Sequence, residues 1–340
     1  MVHKTDPRKR ELVETTLTEA IDYYLTALAL EGKSPETIVW YRKKLTCFAV
    51  FMQNGGEPAR VSILSIEEGR AFVKSVMERK TKYANHVFRP EVMEGLSPQS
   101  IHGYVRALRA FASWLQEEGY TQDNIFRGIK PPKVPQILIQ PLTEDEIRRL
   151  LAAIPPHTPE GVRNYAITLL FLDAGIRLRE LLNLKTSDID FAVGQFKVFG
   201  KGAKERIVPM GLTARRAVIR YLEHFRPQPV NPQESKLFLT VAGDPITVES
   251  VEQMIRRLAN RSGVPRLHPH LLRHSFAVRY LVNGGDVFTL QKILGHTTLE
   301  MTRKYVTLAS GDVKEKHRQY SPVDNLGLVE RKLGRPKKGL

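Results

Sequence analysis

The sequence predicts a mainly α-helical chain with a small β-sheet, arranged as a helical bundle followed by a larger α+β domain. Three observations carry this. Amphipathic helical periodicity runs through residues 17 to about 126, and four prolines crowd the segment from Gly128 to Pro141. Downstream, helical patterns are interrupted by only two short alternating runs. A length of 340 residues is roughly twice a common single-domain size of about 150. Hydrophobic residues at 42% and charged residues at 26% suit a chain that folds around real cores and exclude a disordered one.

Residues 1–16 read as an N-terminal extension, basic but with no apolar run behind it, so neither a signal sequence nor an anchor is expected. The helical domain spans 17–127. Ser34 and Pro35 open a helix whose stripe is Ile38, Tyr41, Leu45, Phe48 and Met52, with Arg42, Lys43 and Lys44 directed away from it. Ser65 followed by Glu68 is a capping-box signature. Ser97 and Pro98 start the clearest helix, with Ile101, Tyr104, Val105, Leu108, Phe111, Ala112 and Leu115 at core spacing and Gly119 as its stop. Arg106 and Arg109 fall on its basic outer face. The segment GIKPPKVPQILIQP, residues 128–141, denies helix continuation and reads as an extended linker. Thr143 with Glu146 caps the next helix and begins the second domain, 142–320, whose two strands lie near Phe196–Phe199 and Arg206–Pro209 around GKGAKE. Residues 321–340 form a basic tail ending RKLGRPKKGL, and no internal repeat is evident.

Lys plus Arg exceed Asp plus Glu by 52 to 36, a formal charge of +16, so double-stranded DNA is the first partner to consider. Arg42, Lys43, Lys44, Arg106, Arg109, Lys204, Arg335, Lys337 and Lys338 are the candidate phosphate contacts. Cys47 is the single cysteine, which excludes an intrachain disulfide and a Cys-rich zinc site and suits a reducing interior. No apolar run approaches a membrane span, so a cytoplasmic protein without membrane contact is expected.

Four patterns in the second domain point to chemistry: DAGIRLRELLNL, FGKGAKERIVPM, HPHLLRH and LGHTTLEMTRKY. Through them the chain resembles the tyrosine recombinase, or phage integrase, family, which includes the Xer recombinases. The segment EAIDYYLTALALEGKSPETIVWYRKKL resembles the start of that family's core-binding domain, so the likeness covers nearly the whole chain. It implies a SAM-like helical DNA-binding domain, a catalytic α+β domain, and a catalytic set of Arg177, Lys201, His270, Arg273, His296 and the nucleophile Tyr305. Glu180 matches an acidic position that supports the catalytic histidine or the arginine. Two departures are Ala174, where many members carry Thr or Ser, and a longer stretch around Lys80 to Leu96. The resemblance further implies a C-shaped clamp on duplex DNA carrying a specific site. It also implies four protomers on two sites and strand exchange through a Holliday junction. The bundle begins by about Leu17, leaving little room for a separate arm-binding domain and favouring a Xer-like or simple mobile-element enzyme over a larger phage integrase. The chain carries no signal that names a target sequence or an accessory protein.

The same residues can be reasoned about directly. Attack at phosphorus builds negative charge on non-bridging oxygens, and preorganised donors aimed at them are usually the largest catalytic contribution. Arg177 and Arg273 offer planar forks that match phosphate oxygens and stay charged. His270 and Arg273, three apart on a helix, project from one face. A phenol with pKa near 10 needs a proton acceptor, for which His270 is the choice. Lys201, whose positive neighbours are expected to depress its pKa, is the candidate proton donor to the leaving 5′ oxygen. His296 would hydrogen-bond the phosphate from the other side. The product is a 3′-phosphotyrosyl ester, which a 5′ hydroxyl can reopen without ATP. No carboxylate cluster accompanies the motifs, so neither a metal nor another cofactor is expected.

Singly, each residue has a plainer explanation. Arg177 could be a surface ion-pair partner of Glu180, Lys201 a solvated hairpin tip, His296 a helix-end histidine and Tyr305 a half-buried core tyrosine. FGKGAK fails as a phosphate-binding P-loop because Gly202 follows the lysine. His268 and His270, with Pro269 between them, make a poor metal site. Their joint occurrence in family order favours the enzyme. Two rivals remain open: a type IB topoisomerase, separated by whether two-site substrates recombine, and a DNA-binding regulator, against which the intact set argues.

Overall fold

Thr16 starts the first helix by accepting a hydrogen bond from the Glu19 amide while the Glu19 carboxylate takes the Thr16 amide at 2.9 Å. The computed structural model describes residues 14–53, 57–81, 93–135, 139–200, 205–309, 317 and 321–322, with the side chains of 307–309 excepted. The chain divides into two compact units, residues 1–137 and 138–340.

In the first unit, α1 (Leu17–Leu30), α2 (Pro35–Met52), α3 (Ile66–Glu78) and α4 (Pro98–Glu117) form a bundle. α1 packs on α2 and α4, and α3 packs on α4. Ser34 and Ser97 cap the amides of Thr37 and Ser100, each followed by proline at the first helical position, where its missing N–H costs nothing. Ser65 caps the Glu67 amide, and Glu68 accepts the Ser65 hydroxyl rather than closing a full box. Phe48, Phe72, Phe111 and Phe126 are fully buried, with Phe48 5.1 Å from Phe72 and 5.6 Å from Phe126 by ring centroid. Each such burial contributes about 1.5–3 kcal/mol. Gly119, at φ +80°, ends the last helix as its sequence position implies.

Lys44 departs from the outer-face placement. It is half-buried, with Nζ 3.9 Å from the Tyr104 ring centroid and 5.2 Å from that of Trp40, because Gly103 leaves room for its stem between α2 and α4. Arg106 lies over the same indole at 4.5 Å, and Arg42 pairs with Asp22 at 3.0 Å. Lys43 and Arg109 are exposed.

The second unit contains α5 (Glu144–Ala152), α6 (Pro159–Ala174), α7 (Leu178–Asn183), the strands β1 (Ile189–Asp190), β2 (Gln195–Phe199) and β3 (Glu205–Pro209), and then α8 (Leu212–His224), α9 (Val248–Ser262), α10 (Pro269–Val282), α11 (Val287–Leu294) and α12 (Glu300–Ala309). The Thr143–Glu146 capping box is complete. The three strands are antiparallel in order β1-β2-β3, with Phe196 opposite Val208 and Val198 opposite Arg206. β1, two residues long, is absent from the sequence reading. α6 packs against both α8 and α10, and α10 against α11 and α12. Both central helices are buried on most of their surface, which blurs the one-sided stripe on which helix recognition relies.

Residues 139–142 are fastened to α10 and the loop before it. His274 Nε2 donates to the Ile139 carbonyl at 2.6 Å, and Ser275 Oγ accepts the Leu142 amide at 2.8 Å. Arg279 donates to the Leu142 carbonyl, and Arg266 to the Gln140 carbonyl at 2.8 Å and to Glu146. Among the described residues no helix is long and apolar enough to cross a membrane.

Candidate active site

Gly175 ends α6 in the left-handed conformation at φ +59°, where a Cβ would come within 2.2 Å of Phe276. The turn delivers Arg177 to the start of α7, where the Glu180 carboxylate takes both the Arg177 amide at 2.8 Å and its Nη1 at 2.7 Å. Arg177 Nη2 reaches on to the Gly295 carbonyl at 3.3 Å. Glu180 thus supports the arginine rather than a histidine. Burial pushes the Glu180 pKa up, but hydrogen bonds from Arg206 and Arg177, with the charge of Arg206, hold it below the usual glutamate value.

α10 contributes Arg273, only 5% exposed, which donates to the Gly175 carbonyl at 2.6 Å and the Leu294 carbonyl at 2.8 Å. Among the described residues it forms no ion pair with a carboxylate. Burial, then the neighbouring Arg177 charge, depresses its pKa to about 10, so it remains cationic at neutral pH.

His296 follows the left-handed Gly295 that caps α11. Its Nε2 lies 3.2 Å from Arg273 Nη2, and its Nδ1 2.9 Å from Thr302 Oγ1. A guanidinium can only donate, so Nε2 accepts and the imidazole proton sits on Nδ1, bonded to Thr302. In this structure Nε2 of His296 therefore faces Arg273. Burial and the charges of Arg273 and Arg177 push the His296 pKa down to about 4.

Tyr305, on α12, is 5% exposed, its ring 6.1 Å from His296 and nearly parallel to it, and 5.2 Å from His274. Burial raises its phenol pKa, while Arg273 and Arg177 pull it back down. His270 sits one turn before Arg273 and is exposed; desolvation, then His268, Arg273, Arg177 and Lys304, lower its pKa. A groove of about 620 Å³ passes Arg177, Arg206, His296, Lys292 and Met301 and is edged by Gly200 and Glu205, the residues flanking the hairpin tip.

Lys201 and Lys204 lie outside the described residues, as do Arg335, Lys337 and Lys338 and most of the Lys80–Leu96 stretch. Arg177, Glu180, Arg273, His296 and Tyr305 come together. Three participants went unread in the sequence: Arg206, Thr302 and His274. The one available signal was Arg206 itself, a charge at an inward position of an alternating strand.

A family model described as "Phage integrase family" matches residues 140–311. Tyrosine recombinase XerD of Listeria innocua serovar 6a is 31% identical over 310 residues, covering 90% of this chain and 99% of the relative. Tyrosine recombinase XerA of Thermococcus onnurineus is 32% identical over 321 residues, covering 93% and 99%. The Tn1549 transposon integrase, solved with a circular intermediate DNA, superposes with a TM-score of 0.68 at 18% identity, covering 92% of this chain and all of that one, a likeness of fold. On the family model and these relatives together, the chain belongs to the phage integrase family and is a tyrosine recombinase, an enzyme that cleaves and rejoins DNA in site-specific recombination.

Proposed function

We propose that Tyr305 attacks a scissile phosphate held by Arg177 and Arg273, leaving a 3′-phosphotyrosyl ester that a partner strand's 5′ hydroxyl reopens. The observation that carries this reading is Arg273: a buried guanidinium anchored, among the described residues, on carbonyls and a neutral imidazole, within electrostatic reach of Arg177 and of the buried Tyr305. A cation held in that way keeps its charge for an incoming anion. His270, neutral and accessible, takes the phenol proton, and His296 fixes Arg273. Lys201, next in sequence to the groove-edging Gly200, protonates the leaving oxygen.

In this reading residues 17–127 bind DNA, 128–141 link, and 142–320 carry the chemistry. The exposed Arg106, Arg109 and Lys43 meet phosphates, and the basic tail adds further contacts. The protein works in the cytoplasm on duplex DNA with a specific site. Four protomers on two sites exchange one strand pair at a time through a Holliday junction, to integrate, excise or resolve DNA elements. The net charge of +16 supports the DNA partner, and the relatives' names support recombination over topoisomerase or regulator activity.

A nicked suicide substrate tests the nucleophile. Tyr305→Phe should form no covalent adduct while binding the site as the parent does; an adduct with the Phe variant would move the nucleophile elsewhere, with Tyr320 next to examine.

A further inference from the structure

Arg206 stands opposite Val198 in the β2–β3 ladder, and the alternation that buries Val208 turns Arg206 to the same inner face. A cation on an apolar face must be paired and hydrogen-bonded to persist there. Nη1 and Nη2 grip the two Glu180 oxygens at 2.7 and 2.8 Å, and Nε donates to the Ile293 carbonyl at 2.7 Å. The side chain is left 12% exposed. Glu180, already bonded to the Arg177 amide and Nη1, is thereby fully occupied.

The other anchor is the end of α11. Its consecutive carbonyls at Ile293, Leu294 and Gly295 accept one arginine each: Arg206, Arg273 and Arg177. Orphan carbonyls at a helix C-terminus carry the negative end of the helix dipole and suit cations. Gly295 is required twice over. Its φ is +62°, and a Cβ there would lie 3.0 Å from the Arg206 guanidinium.

We propose that Arg206 is a positioning residue for strand cleavage. It shares Glu180 so that Arg177 is oriented by the carboxylate without being neutralised by it. Two guanidiniums around one carboxylate leave a positive charge uncancelled; without Arg206, Glu180 and Arg177 close into a neutral pair and the phosphate meets a weaker field. The same bonds fasten strand β3 to the helix end that precedes His296, so the hairpin and the arginines hold one register. This rests on reading Arg177 as a phosphate ligand.

Single-turnover cleavage of a nicked suicide substrate, with site affinity measured separately, tests it on the full chain. Arg206→Gln should cut the cleavage rate at saturating enzyme by about 10- to 100-fold, the usual cost of losing a partner that orients a functional side chain, with little change in affinity. Arg206→Lys, which keeps the charge but loses the fork, should fall between the parent and Arg206→Gln. In a Glu180→Gln background, Arg206→Gln should cost only a small part of its single-variant loss, because no carboxylate remains to share. A parental rate for Arg206→Gln overturns the proposal, and so does the full loss persisting in the Glu180→Gln background, which would assign the effect of Arg206 to its Ile293 bond or to the substrate and not to sharing Glu180. If Arg206→Gln fails to fold, by circular dichroism, Arg206→Lys decides alone: a reduced rate supports the proposal and a parental rate overturns it. Arg177→Ala in the same assay separates the two readings, since parental cleavage there would sink the phosphate-ligand assignment itself.

Discussion

Replacing Arg273 by Ala removes a buried guanidinium and leaves the Gly175 and Leu294 carbonyls and His296 Nε2 without their donor. Loss of one preorganised donor to developing charge costs about 10²–10³ in rate, or about 2.7–4 kcal/mol of transition-state stabilisation. The stranded acceptors would each cost about 1–3 kcal/mol of fold stability. Relief from burying a cation, a cost visible in the depressed Arg273 pKa of about 10, offsets part of that. The stability loss from three stranded acceptors is therefore of the same order as the loss of transition-state stabilisation, so rate and fold are measured side by side. Arg273→Lys should recover little, because one ammonium cannot span two carbonyls and a phosphate. The assay is single-turnover cleavage well below the melting temperature, with circular dichroism to confirm the fold. Near-parental cleavage by a folded Arg273→Ala variant would refute the cradle.

The remaining predictions concern titration and DNA contact. His296 holds a pKa of about 4 in the folded chain against about 6.5 unfolded, so the unfolded state binds the extra proton between those values and stability falls as pH drops through that window. His270 and His274 are lowered in the same direction. Melting temperature measured from pH 7 to 4 should decline, and His296→Gln should flatten the decline; parallel profiles would show that His296 is not a neutral imidazole in the folded chain. Arg106→Ala should weaken DNA binding across sequences and reduce the salt slope of log K by about 0.9, one phosphate contact. An unchanged slope removes Arg106 from the interface.

Local signals carried the parts of the fold that are local. Ser34-Pro35, Ser97-Pro98 and Thr143-Glu146 declare helix starts because the caps are built from neighbours in sequence. Lys44 was misplaced because its burial depends on Gly103, a helix away. The site shows the same divide. Motif order marks Arg177, Arg273, His296 and Tyr305, whereas the contacts organising them span long separations: Arg206 to Glu180 over 26 residues, Arg273 to Gly175 over 98, and His274 to Ile139 over 135. Periodicity has no means of registering such pairs.

The fastening of residues 139–142 has a mechanical consequence. Its bonds lie in series along the chain, His274 at Ile139, Arg266 at Gln140, then Ser275 and Arg279 at Leu142. A load applied upstream of Ile139 would peel them in that order, as a zipper opens, instead of shearing all at once. The first to yield is His274, whose ring packs 5.2 Å from Tyr305. Tension in the chain is thus felt beside the candidate nucleophile before it reaches the core of the unit.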